Sequence, residues 1–174
     1  MFWVLLIGGG LLTLVVLVLG VGVLLPKSHR ASVTKTFGCS ADLVWNIITD
    51  FAQAPKWRSD IRAVEQLPLR GGNTMWKETS RSGDSITYET VELVPKKRMV
   101  RRIADDTLPF GGTWTTELTA AENGGTVVQI VEDGVVYNPV FRFVSKFILG
   151  HKRSMENYLQ SLSAYLESTS TCNS

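Results

Sequence analysis

The hydrophobic pattern divides the chain in two. Residues 2–25 are one apolar run in which Thr13 is the single polar side chain. About 20 such residues cross a hydrocarbon layer of roughly 30 Å, so the run predicts one transmembrane helix, with 1–26 as an anchor. Residues 27–31 read as a short linker. From Ser32 onward the period changes. Val33, Lys35 and Phe37 alternate with Ser32, Thr34 and Thr36, which predicts a strand over 32–38. Ser40 reads as a helix N-cap, and Leu43, Val44, Ile47 and Ile48 form one apolar stripe. A second short helical turn runs from Asp50 to Trp57. Turn signals at 71–73, 82–84, 95–97 and 123–125 then separate strands at 61–67, 74–80, 85–94, 98–104, 113–120 and 126–136. Turns this short join antiparallel neighbours, because parallel ones need long crossovers. Residues 105–112 read as a flexible, partly apolar loop. Pro139 opens a final amphipathic stretch over 139–167, expected as one helix about 42 Å long. The polar tail, 168–174, is expected to be disordered.

Charge sharpens the division. All 18 Lys and Arg and all 16 Asp and Glu lie after Pro26. A cleaved signal peptide would begin with a basic stretch and carry a shorter apolar run, so the reading is a retained single-pass anchor, with Trp3 at its interface. Lys27, Arg30 and Lys35 follow the span, and the positive-inside rule then places the domain in the cytoplasm. A net charge of +2 without a basic run excludes nucleic acid as an expected partner. Gly8, Gly9, Gly10, Gly20 and Gly22 lie within an apolar span, so they read as glycine tolerated there rather than as a phosphate loop. Cys39 and Cys172 are the only cysteines, and they read as two unrelated thiols.

The segment Ser40-Ala41-Asp42-Leu43-Val44-Trp45-Asn46-Ile47-Ile48-Thr49-Asp50-Phe51, followed by Pro55-Lys56-Trp57, resembles the opening of the polyketide cyclase/dehydrase and lipid-transport family. That family belongs to the START-like, Bet v 1-like superfamily (SRPBCC). Gly112-Thr113-Trp114 and Gly125-Thr126-Val127-Val128 resemble its later strands. The resemblance spans residues 32–167 and implies an α+β helix-grip fold. In it a curved antiparallel sheet of about seven strands wraps a long C-terminal helix, with two short helices after the first strand and an apolar cavity between sheet and helix.

Within that frame the expected ligand-binding residues are Trp76, Tyr88, Met99, Arg101, Phe110, Trp114, Ile130, Glu132, Phe141, Val144, Phe147, His151 and Met155. Met99, Arg101 and Ile103 share one strand face, and Thr126, Val128, Ile130 and Glu132 share another, so Arg101 and Glu132 could meet inside the cavity. A buried charge is costly unless paired. Aromatic residues fill cores as readily as they line ligand sites, and His151 reads as a core histidine. No nucleophile, base and orienting group fall into a catalytic spacing, and no cofactor or metal is expected. The expected activity is therefore binding of a lipid or hydrophobic small molecule at a membrane. A cyclase- or dehydratase-like enzyme and a non-catalytic interaction domain are the alternatives.

Overall fold

The computed structural model describes the backbone of residues 2–122, 124–169 and 172, and the side chains of these residues other than 2–8, 11, 14 and 149. The expected interfacial Trp3 lies outside the described side chains, as does most of the expected tail. Helix α1 (Phe2–Leu24) leads through Pro26 into β1 (Ser28–Phe37). Then come α2 (Ala41–Thr49), a 3-10 turn (Phe51–Gln53) and α3 (Ala54–Trp57). Six strands follow: β2 (Ile61–Arg70), β3 (Asn73–Ser80), β4 (Ser85–Val94), β5 (Arg98–Ile103), β6 (Phe110–Ala120) and β7 (Thr126–Val136). The chain closes with α4 (Pro139–Val144), a π-turn (Ser145–Leu149) and α5 (Arg153–Ser168). Among the residues whose side chains are described, which leaves out 2–8, 11 and 14 of α1, no helix is long and apolar enough to cross a membrane.

The seven strands form one antiparallel sheet in the order β1-β7-β6-β5-β4-β3-β2. Its concave face holds α5. The spacing of Met155, Leu159, Leu162 and Leu166 puts them on one stripe, and all four are buried. They pack against Phe37, Leu118, Val128 and Ile130 of the sheet and Val44, Trp45 and Ile48 of α2. Burying each such side chain stabilises by about 1.5–3 kcal/mol. Helix α2 starts where Ser40 Oγ accepts from the Leu43 amide, 3.4 Å away. This is the helix-grip arrangement.

Four details differ from the sequence reading. Strand β1 begins at Ser28, so the residues assigned to a linker supply its first rungs, with His29 opposite Gly134 and Ala31 opposite Glu132. Strand β6 begins at Phe110, inside the expected loop. The C-terminal helix is not one rod. A widened turn is closed by the Gly150 amide on the Ser145 carbonyl at 2.9 Å, and Gly150 then leaves the helix at φ +73°, where a side chain would be strained. Finally, Cys39 and Cys172 are joined in a disulfide with Cα atoms 4.6 Å apart. The pairing was illegible in sequence because 133 residues separate the two cysteines, and one sits beyond the last apolar stripe.

Arg142 ties α1 to the domain. It is buried on α4, and its Nε donates to the Val136 carbonyl and its Nη2 to that of Tyr137, both at 3.0 Å. Nη1 donates to the carbonyls of Gly22 and Leu25 at 3.1 and 3.3 Å. These are orphan carbonyls at the negative end of α1. Gly22 approaches so closely that an added Cβ would overlap the Pro139 carbonyl. Here the glycine serves close packing against α4 within the chain.

Candidate functional site

Where the sheet curves away from the helix, a cavity of about 460 Å3 opens between β4–β7, the N-terminal end of β1 and the segment from α4 to α5. Of the expected residues, Tyr88, Arg101, Phe110, Trp114, Glu132, Phe141 and His151 line it. Its walls are mainly apolar, with Ile86, Ile103, Val135 and Val136 beside the aromatic rings. Phe110 and Phe141 stack at 6.0 Å between centroids, pairing the start of β6 with α4.

Six expected residues lie elsewhere. Met99, Ile130 and Met155 are buried in the main core, below the cavity on the same strand and helix faces. Trp76 is on β3 and packs against Phe51. Val144 is half-buried but does not reach the cavity, and Phe147 is 58% exposed. Both lie at or within the widened Ser145–Leu149 turn, where a regular 3.6-residue spacing no longer tells which face is presented.

Arg101 and Glu132 do not meet. Arg101 is the register partner of Trp114, which is in turn the partner of Glu132. Two strand spacings, roughly 10 Å, and an indole therefore separate them. Arg101 instead donates through Nη1 to Glu78 Oε1 on β3 at 2.7 Å. Arg58 Nη1 donates to the other oxygen, also at 2.7 Å. Burial pushes the Glu78 carboxyl up, but the two guanidiniums outweigh it and hold it below the ordinary carboxylate value. The Arg101 guanidinium lies between the rings of Phe51 and Tyr88, 4.4 Å from each centroid. Its Nε and Nη2 are buried and have no hydrogen-bond partner among the described residues. Burial pushes the Tyr88 phenol up to about 12, so it stays a neutral donor.

At the opposite wall is a second polar group, in which Trp114, Glu132 and His151 were expected at the site and His29 was not. His29 Nε2 is 2.8 Å from Glu132 Oε1, and Trp114 Nε1 donates to Glu132 Oε2 at 2.6 Å. The His151 ring stacks on His29 at 3.7 Å, so His151 lines the cavity rather than filling the core. Burial lowers the His151 pKa, and His29 adds to that, against an opposing pull from Glu132. The register row His29–Gly134–Gly112 makes room for the ring: a Cβ on Gly134 would overlap it. The signal was present in sequence. His29 and Ala31 continue the parity of Val33, Lys35 and Phe37 on the inward face of β1. Among the described residues, no group of three or more His, Cys, Asp or Glu is placed to hold a metal ion.

Comparison with known proteins fits this geometry. The family model for polyketide cyclase / dehydrase and lipid transport matches residues 28–167. The chain belongs to that family. Its domain has the fold of the Zhui aromatase/cyclase from Streptomyces sp. R1128, with a TM-score of 0.65 at 15% identity, covering 80% of this chain and 94% of that one. A START superfamily protein from Mycobacterium smegmatis aligns with a TM-score of 0.62 at 18% identity, over 81% of this chain and 99% of that one. The di-domain ARO/CYC StfQ from the steffimycin biosynthetic pathway aligns with a TM-score of 0.62 at 14% identity, over 82% of this chain and 52% of that one. A sequence search of curated proteins found no match.

Proposed function

We propose that this protein binds a lipid or other hydrophobic small molecule in the cavity between sheet and helix, and that α1 holds it at a membrane. The observation that carries the binding reading is the 460 Å3 cavity, whose walls are mainly apolar and aromatic. A mainly apolar guest suits such a lining. Tyr88, Phe110, Trp114 and Phe141 then contact the guest, while Glu132 and His151 face it from the far wall. Native mass spectrometry of detergent-extracted protein tests the reading: a bound apolar molecule is expected. A consistently empty protein would argue against it.

Anchoring is supported by sequence and position. The 23 residues of α1 extend about 34 Å, and residues 2–24 include no charged side chain. Its end is clamped by Arg142 beside α4, where Val140, Phe141, Phe147 and Ile148 are exposed. Those side chains, with Lys146 and Lys152 nearby, suit the boundary between acyl chains and headgroups. A guest could then pass from the bilayer between Phe110 and Phe141. Carbonate extraction of membranes containing the full chain checks this: retention in the pellet is expected, and release into the supernatant would remove the anchor from the account.

The disulfide bears on which side of the membrane the domain would occupy. Three basic residues after the span favour the cytoplasm, but a Cys39–Cys172 bond persists in oxidising compartments. We place the domain on the oxidising face. A cyclase- or dehydratase-like activity is the second reading, and the family description favours it.

A further inference from the structure

We infer that His29 and Glu132 form a proton-transfer pair, with His29 as the base acting on a weakly acidic C–H or O–H of the cavity's guest and Glu132 as its positioning residue. This rests on the reading that the cavity takes an apolar molecule. It goes beyond binding, because it makes the polar wall a place of reaction.

The arrangement restrains one imidazole from several sides. The ring of His29 lies over Gly134, where a Cβ would not fit, and against the ring of His151 at 3.7 Å and 21°. Its Nε2 meets Glu132 Oε1 at 2.8 Å, and the other carboxylate oxygen is held by the Trp114 indole N–H at 2.6 Å. A carboxylate that accepts at both oxygens fixes the Nε2–H form of the ring. The basic lone pair is then on Nδ1, for which no hydrogen bond is found among the described residues. The side chains of His29 and Glu132 are only 17% and 18% exposed, so water competes weakly for the pair. Base, orienting carboxylate and a cavity for the reacting molecule are thus brought together.

A purely structural role explains less. Strands β1 and β7 are already paired along ten consecutive rungs, from Ser28 with Val135 to Phe37 with Thr126. A further tie at one end adds little to strand registration. It would also not require the glycine row under the ring or a second imidazole stacked over it. The titratable groups facing His29 are Glu132 from β7 and His151 from the segment before α5. Burial and the neighbouring His29 lower the His151 pKa, which disfavours a second positive charge beside a protonated His29.

The step balances without an oxidant or a metal. Nδ1 of His29 takes a proton from carbon or oxygen, and the bond pair stays on the guest, delocalised into an adjoining carbonyl. The resulting imidazolium is compensated by Glu132 and returns the proton at the same or a conjugated position. The substrate class is an apolar molecule with a carbonyl-activated C–H or an acidic hydroxyl.

5-Nitrobenzisoxazole tests this with the full chain in detergent micelles, because a base in an apolar pocket takes its C3 proton while the N–O bond breaks to give a coloured phenolate. The expected result is cleavage faster than with free imidazole at the same concentration, following one ionisation with pH. His29→Gln and His29→Ala should each lose at least 100-fold in kcat/KM while keeping the wild-type thermal transition. Glu132→Gln should lower kcat and displace the pH profile with KM little changed, and Glu132→Asp should restore part of the rate. Arg30→Ala, which breaks an exposed pair with Asp133, should change nothing. Nitrogen-15 spectra of folded His29→Ala and wild-type protein assign the ring form independently. A wild-type rate no better than imidazole or no loss in the folded His29 variants would overturn the inference, as would a His29 proton on Nδ1. If binding of the probe is seen by fluorescence without cleavage, proton transfer fails while the binding reading stands; if the probe does not bind, the binding reading fails first.

Discussion

Glu78 is the side chain on which the interior charges depend. It is almost fully buried between Arg58 and Arg101, one to each carboxylate oxygen. Removing one partner of such a group leaves uncompensated buried charge, which costs about 3–5 kcal/mol. Glu78→Gln should lower unfolding free energy by roughly that amount in urea titration, and it should loosen the Arg101 guanidinium from its place between Phe51 and Tyr88. The pH dependence has a definite sign. The folded-state pKa of Glu78 lies below its ordinary value of 4.5. Its contribution is therefore complete above that ordinary value and is lost as pH falls through the lower folded value. Glu78→Gln should flatten this part of the acid unfolding curve. His151 acts in the same direction at higher pH. Its folded-state pKa lies below 6.5, so stability falls as pH drops through and below the ordinary histidine range. At this scale the sequence was only partly legible. Alternation along β5 and β7 placed Arg101 and Glu132 on inward faces, which is where they are. It could not reveal that Trp114 stands between them, because that depends on the register of three strands.

Among the elements, α4 is the joint that connects the N-terminal helix to the cavity wall. Arg142 reaches carbonyls at the end of α1 and at the end of β7, while its neighbour Phe141 lines the cavity. Arg142→Ala should cost about 3 kcal/mol, since charged-donor hydrogen bonds contribute about 1.5–3 each and their acceptors would be left buried. Limited proteolysis between residues 24 and 28 checks this: the variant should be cut faster, and equal cutting rates would show that the clamp is idle. The break at Gly150 is a second joint. Gly150→Ala puts a Cβ at φ +73° and ψ +144°, outside the left-handed helical basin, and should destabilise by about 1–3 kcal/mol, measurable as a lower thermal midpoint. Elements with strong periodicity were legible before any coordinates. The strands at 85–94 and 126–136 have the expected bounds. The long helix was not, because its apolar spacing continues through 144–151 although the backbone does not.

For the whole molecule, the features belong to one layout: an apolar helix, a domain clamped to its end, an exposed apolar segment beside that clamp, and a cavity with its aromatic rings nearby. The disulfide adds a condition. Intact mass with and without reductant, under thiol alkylation, should show no labelled cysteine before reduction and two after it. Two labelled thiols in the untreated protein would remove the bond and return the domain to the cytoplasmic face. Family and fold were legible because the motif at 40–57 and the run of short turns survive in sequence. The cavity was legible only as an implication of that fold, since its volume depends on sheet curvature. The account stands on that cavity holding a guest. Its most direct test is native mass spectrometry of wild-type protein beside Ile86→Trp, which fills the apolar wall. One apolar molecule per chain on the wild type and none on the variant is the outcome expected here; a wild type that carries nothing, or a variant that carries as much, would contradict it.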